Sequence, residues 1–169
     1  MNAMKKILAF ALAGVMALAL LTGCGTGGSA SHKSIAKAMA DYDNGLWNNT
    51  TSITCISSAK LDALLQTWAA DPRFEAVVKA VYTDDALPTI PSGSVPSDKV
   101  VYLYCGKYDK DAGKQAINLN AHSARISGTS ALSLAAVRQI GLITTSFTDT
   151  NGKEVKVRFA VVVSEIPTP

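Results

Sequence analysis

At 169 residues, 48% of them hydrophobic, the chain is long enough to close one domain around its own core. Its 16 basic and 13 acidic side chains give a formal net charge of only +3. That balance excludes the strong basic excess or stripe of a nucleic-acid-binding protein.

Lys5 and Lys6 precede an apolar run that ends at Leu21-Thr22-Gly23-Cys24. A positive start, an apolar core of about 15 residues and a small-residue junction make a secretory signal, too short for a membrane span. The Leu-Thr-Gly-Cys ending resembles the lipobox of bacterial lipoproteins. That resemblance covers residues 1–24 and implies removal of residues 1–23, lipidation of Cys24 on its sulfur, and an extracytoplasmic, membrane-anchored protein. Membrane lipid held through Cys24 is the partner it implies, and two acyl chains on one sulfur suffice for stable anchoring. Without the two leader lysines the mature chain carries 14 basic and 13 acidic groups, near +1. No polybasic run in the sequence adds to the lipid.

With Cys24 assigned to lipid, Cys55 and Cys105 remain as a pair. Outside the cytoplasm two otherwise unassigned cysteines most simply form a disulfide. Closing a loop of about 50 residues would contribute roughly 4 kcal/mol in the chain-entropy model. The alternative is two separate buried thiols.

Residues 24–31 form the lipidated end and a Gly/Ser-rich tether, of which Gly25 to Ser31 spans about 15 Å on average. Residues 32–169 are read as one domain. Ile35, Ala38, Met39 and Tyr42 have helical spacing, with Gly45 placed to end the helix. Leu61, Leu64, Leu65 and Trp68 repeat that spacing behind Ser57 or Ser58 as cap. Phe74, Val77, Val78 and Val81 repeat it behind Asp71-Pro72, where Asp71 suits the N-cap and Pro72 the first helical position.

Thr83 to Lys99 follows, without periodicity and with Pro88, Pro91 and Pro96. A loop of this length is commonly functional or mobile, which makes Asp84, Asp85 and the three prolines the candidate binding loop. Val100 to Tyr108 reads as a strand, Asp109 to Lys114 as a hairpin turn, and Gln115 to Ala121 as a second strand with Ile117 and Leu119 on one face. A fourth helix is expected over Thr129 to Ile140, stopped by Gly141. Leu142 to Thr148 and Glu154 to Glu165 complete a hairpin around Asn151-Gly152. In the last strand Val155, Val157, Phe159, Val161 and Val163 share one face, while the other starts polar at Lys156 and Arg158. The expected fold is α+β: three N-terminal helices, then a largely antiparallel sheet of about four strands with one further helix.

Chemistry-bearing patterns are sparse. A Gly-x-Gly-x-x-Gly match at Gly23, Gly25 and Gly28 has no strand before it and is cut by processing. Ser-x-x-Lys occurs at Ser34–Lys37 and Ser57–Lys60, the spacing penicillin-binding proteins and serine β-lactamases use for a nucleophile and its lysine, but their Lys-Thr-Gly element is missing and both serines suit helix caps. Cys105 and His122, with Asn118 or Asn120, supply the residue types of a cysteine hydrolase. His32 and His122 have no Cys or His at metal-ligand spacing, and Asp109-x-Asp111-x-Gly113 lacks the remaining oxygen ligands of a calcium loop. No metal or other cofactor is expected. Lys153, Lys156 and Arg158 form a small basic stretch on the last hairpin. The favoured reading is a non-catalytic envelope lipoprotein that binds an envelope protein or ligand. The alternative is a small envelope hydrolase using Cys105 with His122, or a serine.

Overall fold

The computed structural model describes residues 30–46, 52–88, 98–126, 130 and 133–167. Four helices and five strands follow in the order α1 (His32–Leu46), β1 (Thr54–Ser57), α2 (Ala59–Ala69), α3 (Phe74–Thr83), β2 (Lys99–Lys107), α4 (Ala112–Asn120), β3 (Ser123–Arg125), β4 (Val137–Thr148) and β5 (Glu154–Glu165). The strands form one sheet in the order β1-β4-β5-β2-β3. β1 runs parallel to β4, and every other pairing is antiparallel. The fold is α+β with a mixed sheet. None of the described helices is long and apolar enough to cross a membrane.

The sheet is covered on both faces. On one, α2 and α3 bury Leu65, Phe74, Val77, Val78 and Val81 against Leu103, Cys105, Phe147, Val157, Phe159 and Val161. On the other, Ile35, Ala36 and Met39 of α1 and Ala116 and Leu119 of α4 meet Ile140, Leu142, Ala160 and Val162. The alternation along β5 divides its side chains between these two cores as its sequence requires. Val155, Val157, Phe159, Val161 and Val163 all face α2 and α3. β5 is a central strand, and so Arg158, expected at an exposed edge, is buried beside the ring of Tyr108.

α1, α2 and α3 lie where the apolar spacing places them. Ser31 Oγ accepts from the Ser34 amide at 3.1 Å, and Ser58 Oγ caps α2 by accepting from Leu61. The start of α3 lies two residues beyond the expected position. Asp71 accepts from the Arg73 amide and holds its guanidinium at 2.9 and 2.7 Å, forming a turn before the helix begins at Phe74.

Two expected elements change type. Gln115 to Ala121 is helical, because Asp111 accepts from the Lys114 amide at 2.8 Å and caps α4. What looked like a hairpin turn is therefore a helix start. Gln115, Ala116 and Leu119 are buried at helical spacing, whereas Ile117, expected inward, is 55% exposed. The second correction concerns Thr129 to Ile140. Residues 133–136 are not helical, and Val137 to Ile140 begin β4, paired with β1 and β5. Residues 127–129, 131 and 132 lie outside the described residues. Gly141 is no helix stop. A Cβ there would come within 2.5 Å of the Leu61 backbone and side chain, so glycine lets α2 lie directly on β4.

Candidate functional site

Of the expected binding segment the structure describes the entry, residues 83–88, and the last two residues, Asp98 and Lys99. α3 ends at Asp84, whose φ of 56° puts it in the left-handed region, and the Asp85 amide returns to the Ala80 carbonyl at 2.9 Å. The reversed backbone aims the Asp84 carboxylate at the edge of the sheet. Its Oδ2 lies 3.0 Å from Nδ1 of His122, the residue just before β3. The imidazole packs against the Tyr82 ring at a centroid distance of 5.1 Å, and Tyr82 in turn packs on Phe147. Thr83 Oγ1 donates to Asp85 Oδ2, and Leu87 packs on the core. Pro88 follows in the described loop, while Pro91 and Pro96 lie outside the described residues.

Cys105 joins this corner through the backbone. Its amide donates to the His122 carbonyl at 3.1 Å, so thiol and imidazole belong to neighbouring strand positions on the face covered by α2 and α3. A thiol, an imidazole and a carboxylate thus come together, with Asp84 in place of the expected asparagines. Asn118 instead donates to the Lys107 carbonyl and Asn120 to the Ala116 carbonyl. The electrostatics oppose nucleophilic chemistry. Cys105 is fully buried, and burial pushes its thiol up to about 12. Nucleophilic cysteines need the opposite shift and partial exposure. Among the described residues, no hydrogen bond joins its sulfur to His122.

The expected disulfide is not formed; both cysteines are free thiols. Topology explains this. β4 and β5 stand between β1, which carries Cys55, and β2, which carries Cys105. Three strand spacings of about 4.8 Å separate the backbones by about 14 Å, twice what a bridge spans. The side chains also serve opposite cores, Cys105 toward α3 and Cys55 toward α1. Cys55 lies beside the ion pair of Arg138 with Asp43. Burial raises its thiol to about 11, against the opposing pull of Arg138. Tyr104, in the same cluster, is pushed up to about 12 by burial. The cluster joins the end of α1 to β4 and is closed by Asn44, which exchanges hydrogen bonds with the Ile53 backbone.

The remaining candidates have structural work. Ser34 Oγ donates to the Ser31 carbonyl, and Lys37 pairs with Asp41. Ser57 belongs to β1, with Ser58 taking the cap. His32 pairs with Asp62 at 2.9 Å. The other oxygen of Asp62 accepts from the Leu142 amide, where β1 no longer covers β4. Asp109 accepts from the Asp111 amide and Asp111 from that of Lys114, which leaves both turned toward backbone. Among the described residues, no group of three His, Cys, Asp or Glu is placed to hold a metal ion. Lys156 lies 4.2 Å above the Tyr108 ring. Cys24 is outside the described residues.

Sequence reasoning did not find the Asp84–His122 pair. The two residues are 38 positions apart, and only the β2–β3 pairing brings His122 beneath the end of α3. Compared with known protein families, curated proteins and solved structures, the chain matches none.

Proposed function

We propose that this protein is a bacterial envelope lipoprotein: a non-catalytic binding module held at the membrane by lipid on Cys24. The observation that carries the proposal is the run from Lys5 to Cys24, with its positive start, apolar core and Leu-Thr-Gly-Cys end. The first described residue, Ala30, is six positions beyond Cys24, so the domain works within about 20 Å of its anchor point. Binding is assigned to the loop that leaves α3 at Asp84, because its entry is fixed by His122 while Asp85 and Ala86 beyond it are exposed. Support for a non-catalytic role comes from Cys105, whose buried thiol is held protonated at neutral pH.

The test has two arms. Full-length protein expressed in a bacterial host should sediment with membranes and require detergent for release, whereas Cys24→Ser should appear in the soluble fraction. Equal sedimentation of both would contradict lipid anchoring. In the second arm, envelope proteins crosslinked to the wild-type chain should be lost from an Asp85→Ala/Pro88→Ala variant with unchanged thermal stability. Unchanged crosslinks would remove the loop from the proposal.

A further inference from the structure

The domain's attachment point lies at one end of the sheet. The Ala30 amide donates to the Lys110 carbonyl at 2.9 Å, tying the start of the described chain to the loop between β2 and α4. α1 begins there, β2 ends there, and the β4–β5 hairpin turns there, since the Tyr108 amide donates to the Lys156 carbonyl. Topology therefore gathers lysines that are scattered in sequence. Lys33, Lys107, Lys110, Lys114, Lys153 and Lys156 are all exposed at this end. Five carboxylates lie among them. Four turn an oxygen onto backbone: Asp109 onto the Asp111 amide, Asp111 onto that of Lys114, Asp149 onto those of Asn151 and Lys153, and Glu75 onto that of Thr148. The fifth, Glu154, is exposed beside Lys153. The ammonium groups reach outward on long stems, and Tyr108 supports Lys156 from below at 4.2 Å.

We infer that this end of the domain is its membrane-facing surface, with these lysines on anionic phospholipid headgroups and the opposite end presented away from the bilayer. The inference rests on the lipid-anchored reading of Cys24. It deepens that reading, because the five residues between Cys24 and Ala30 confine this end, and no other, to the neighbourhood of the lipid. Charge complementarity then sets the orientation. Leu46, Val137 and Ile166, all well exposed, lie at the opposite end, where α1 and β5 finish and β4 begins.

The full-length lipidated protein is reconstituted into vesicles of phosphatidylcholine alone, or with about 30 mol % phosphatidylglycerol. Lysines are acylated briefly and the modified peptides quantified by mass. Lys110, Lys114, Lys153 and Lys156 should react about threefold more slowly in the anionic vesicles, the factor by which the surface potential of an anionic leaflet concentrates protons. Lys99, at the start of β2 and so at the opposite end of the sheet, should not change, because the potential decays within a Debye length of about 8 Å. About 1 M salt should abolish the difference. Equal rates in both vesicles, or slowing at Lys99 instead, would overturn the orientation. The same digest reports the mass on Cys24. Lipid on Cys24 with equal lysine rates overturns this inference alone, and an unmodified Cys24 overturns the anchored reading and this inference with it.

Discussion

At the residue scale, close approach and charge pairing make the sharpest predictions. A Cβ on Gly106 would lie 2.2 Å from the Asn118 carbonyl oxygen, and one on Gly141 would lie 2.5 Å from the Leu61 backbone. Each glycine lets a helix rest on its strand, α4 on β2 and α2 on β4. Gly141→Ala should therefore destabilise the domain by about 1–3 kcal/mol, since backbone has to move to admit the methyl group. Urea unfolding checks this, and a loss below about 0.5 kcal/mol would contradict the close contact. Asp71 gives a pH prediction. Its carboxyl is held down at about 2, chiefly by the hydrogen-bonded side chain of Arg73. Because the folded value lies below the unfolded value of about 3.9, the contribution is fully present above that value. It is lost as pH falls toward 2. In Arg73→Ala the NMR titration of Asp71 should move up toward its ordinary value; no movement would refute the pairing. Both features were only partly visible in sequence. Asp71 reads as a cap, and nothing near Gly141 announces Leu61, 80 positions away.

At the scale of elements, legibility followed pattern length. α1, α2, α3 and β5 each carry several apolar residues at one period, and all were readable. β1 and β3 have four and three residues, too few for any period to register. α4 was misread because Ile117 and Leu119 alternate with Asn118 and Asn120. That pattern fits a strand as well as it fits this helix, which leaves Ile117 in solvent. The decisive signal was Asp111, three residues before Lys114, whose amide it accepts. Asp111→Ala should therefore cost about 1 kcal/mol and loosen α4 first. Hydrogen exchange should show this as faster exchange of the Lys114 and Gln115 amides, and unchanged exchange would mean the cap is dispensable. The opposite error occurred before Gly141, where alanines and a glycine suggested a helix and its stop. Pairing with β1 on one side and β5 on the other outweighs that local preference.

The whole molecule depends on strand order, which no local pattern encodes. Two cysteines in a chain expected to be exported suggest a bridge, but β4 and β5 insert between their strands and send the thiols to opposite cores. Purified without reductant and then denatured, the protein should show both Cys55 and Cys105 reactive to a thiol reagent. The absence of reactive thiol would mean a different strand order. The same topology carries His122 under Asp84 and gathers the lysines around Ala30, so the parts of the candidate site became visible only with the fold. The proposed anchor rests on no fold, because a leader and its cleavage junction are patterns of linear sequence. The central claim is that lipid on Cys24 holds this domain at a membrane. Its most direct test is the mass of the N-terminal peptide of the protein purified from bacterial membranes. The expected peptide begins at Cys24 and carries a diacylglyceryl group on its sulfur. A peptide containing Met1, or one with an unmodified Cys24, would contradict it.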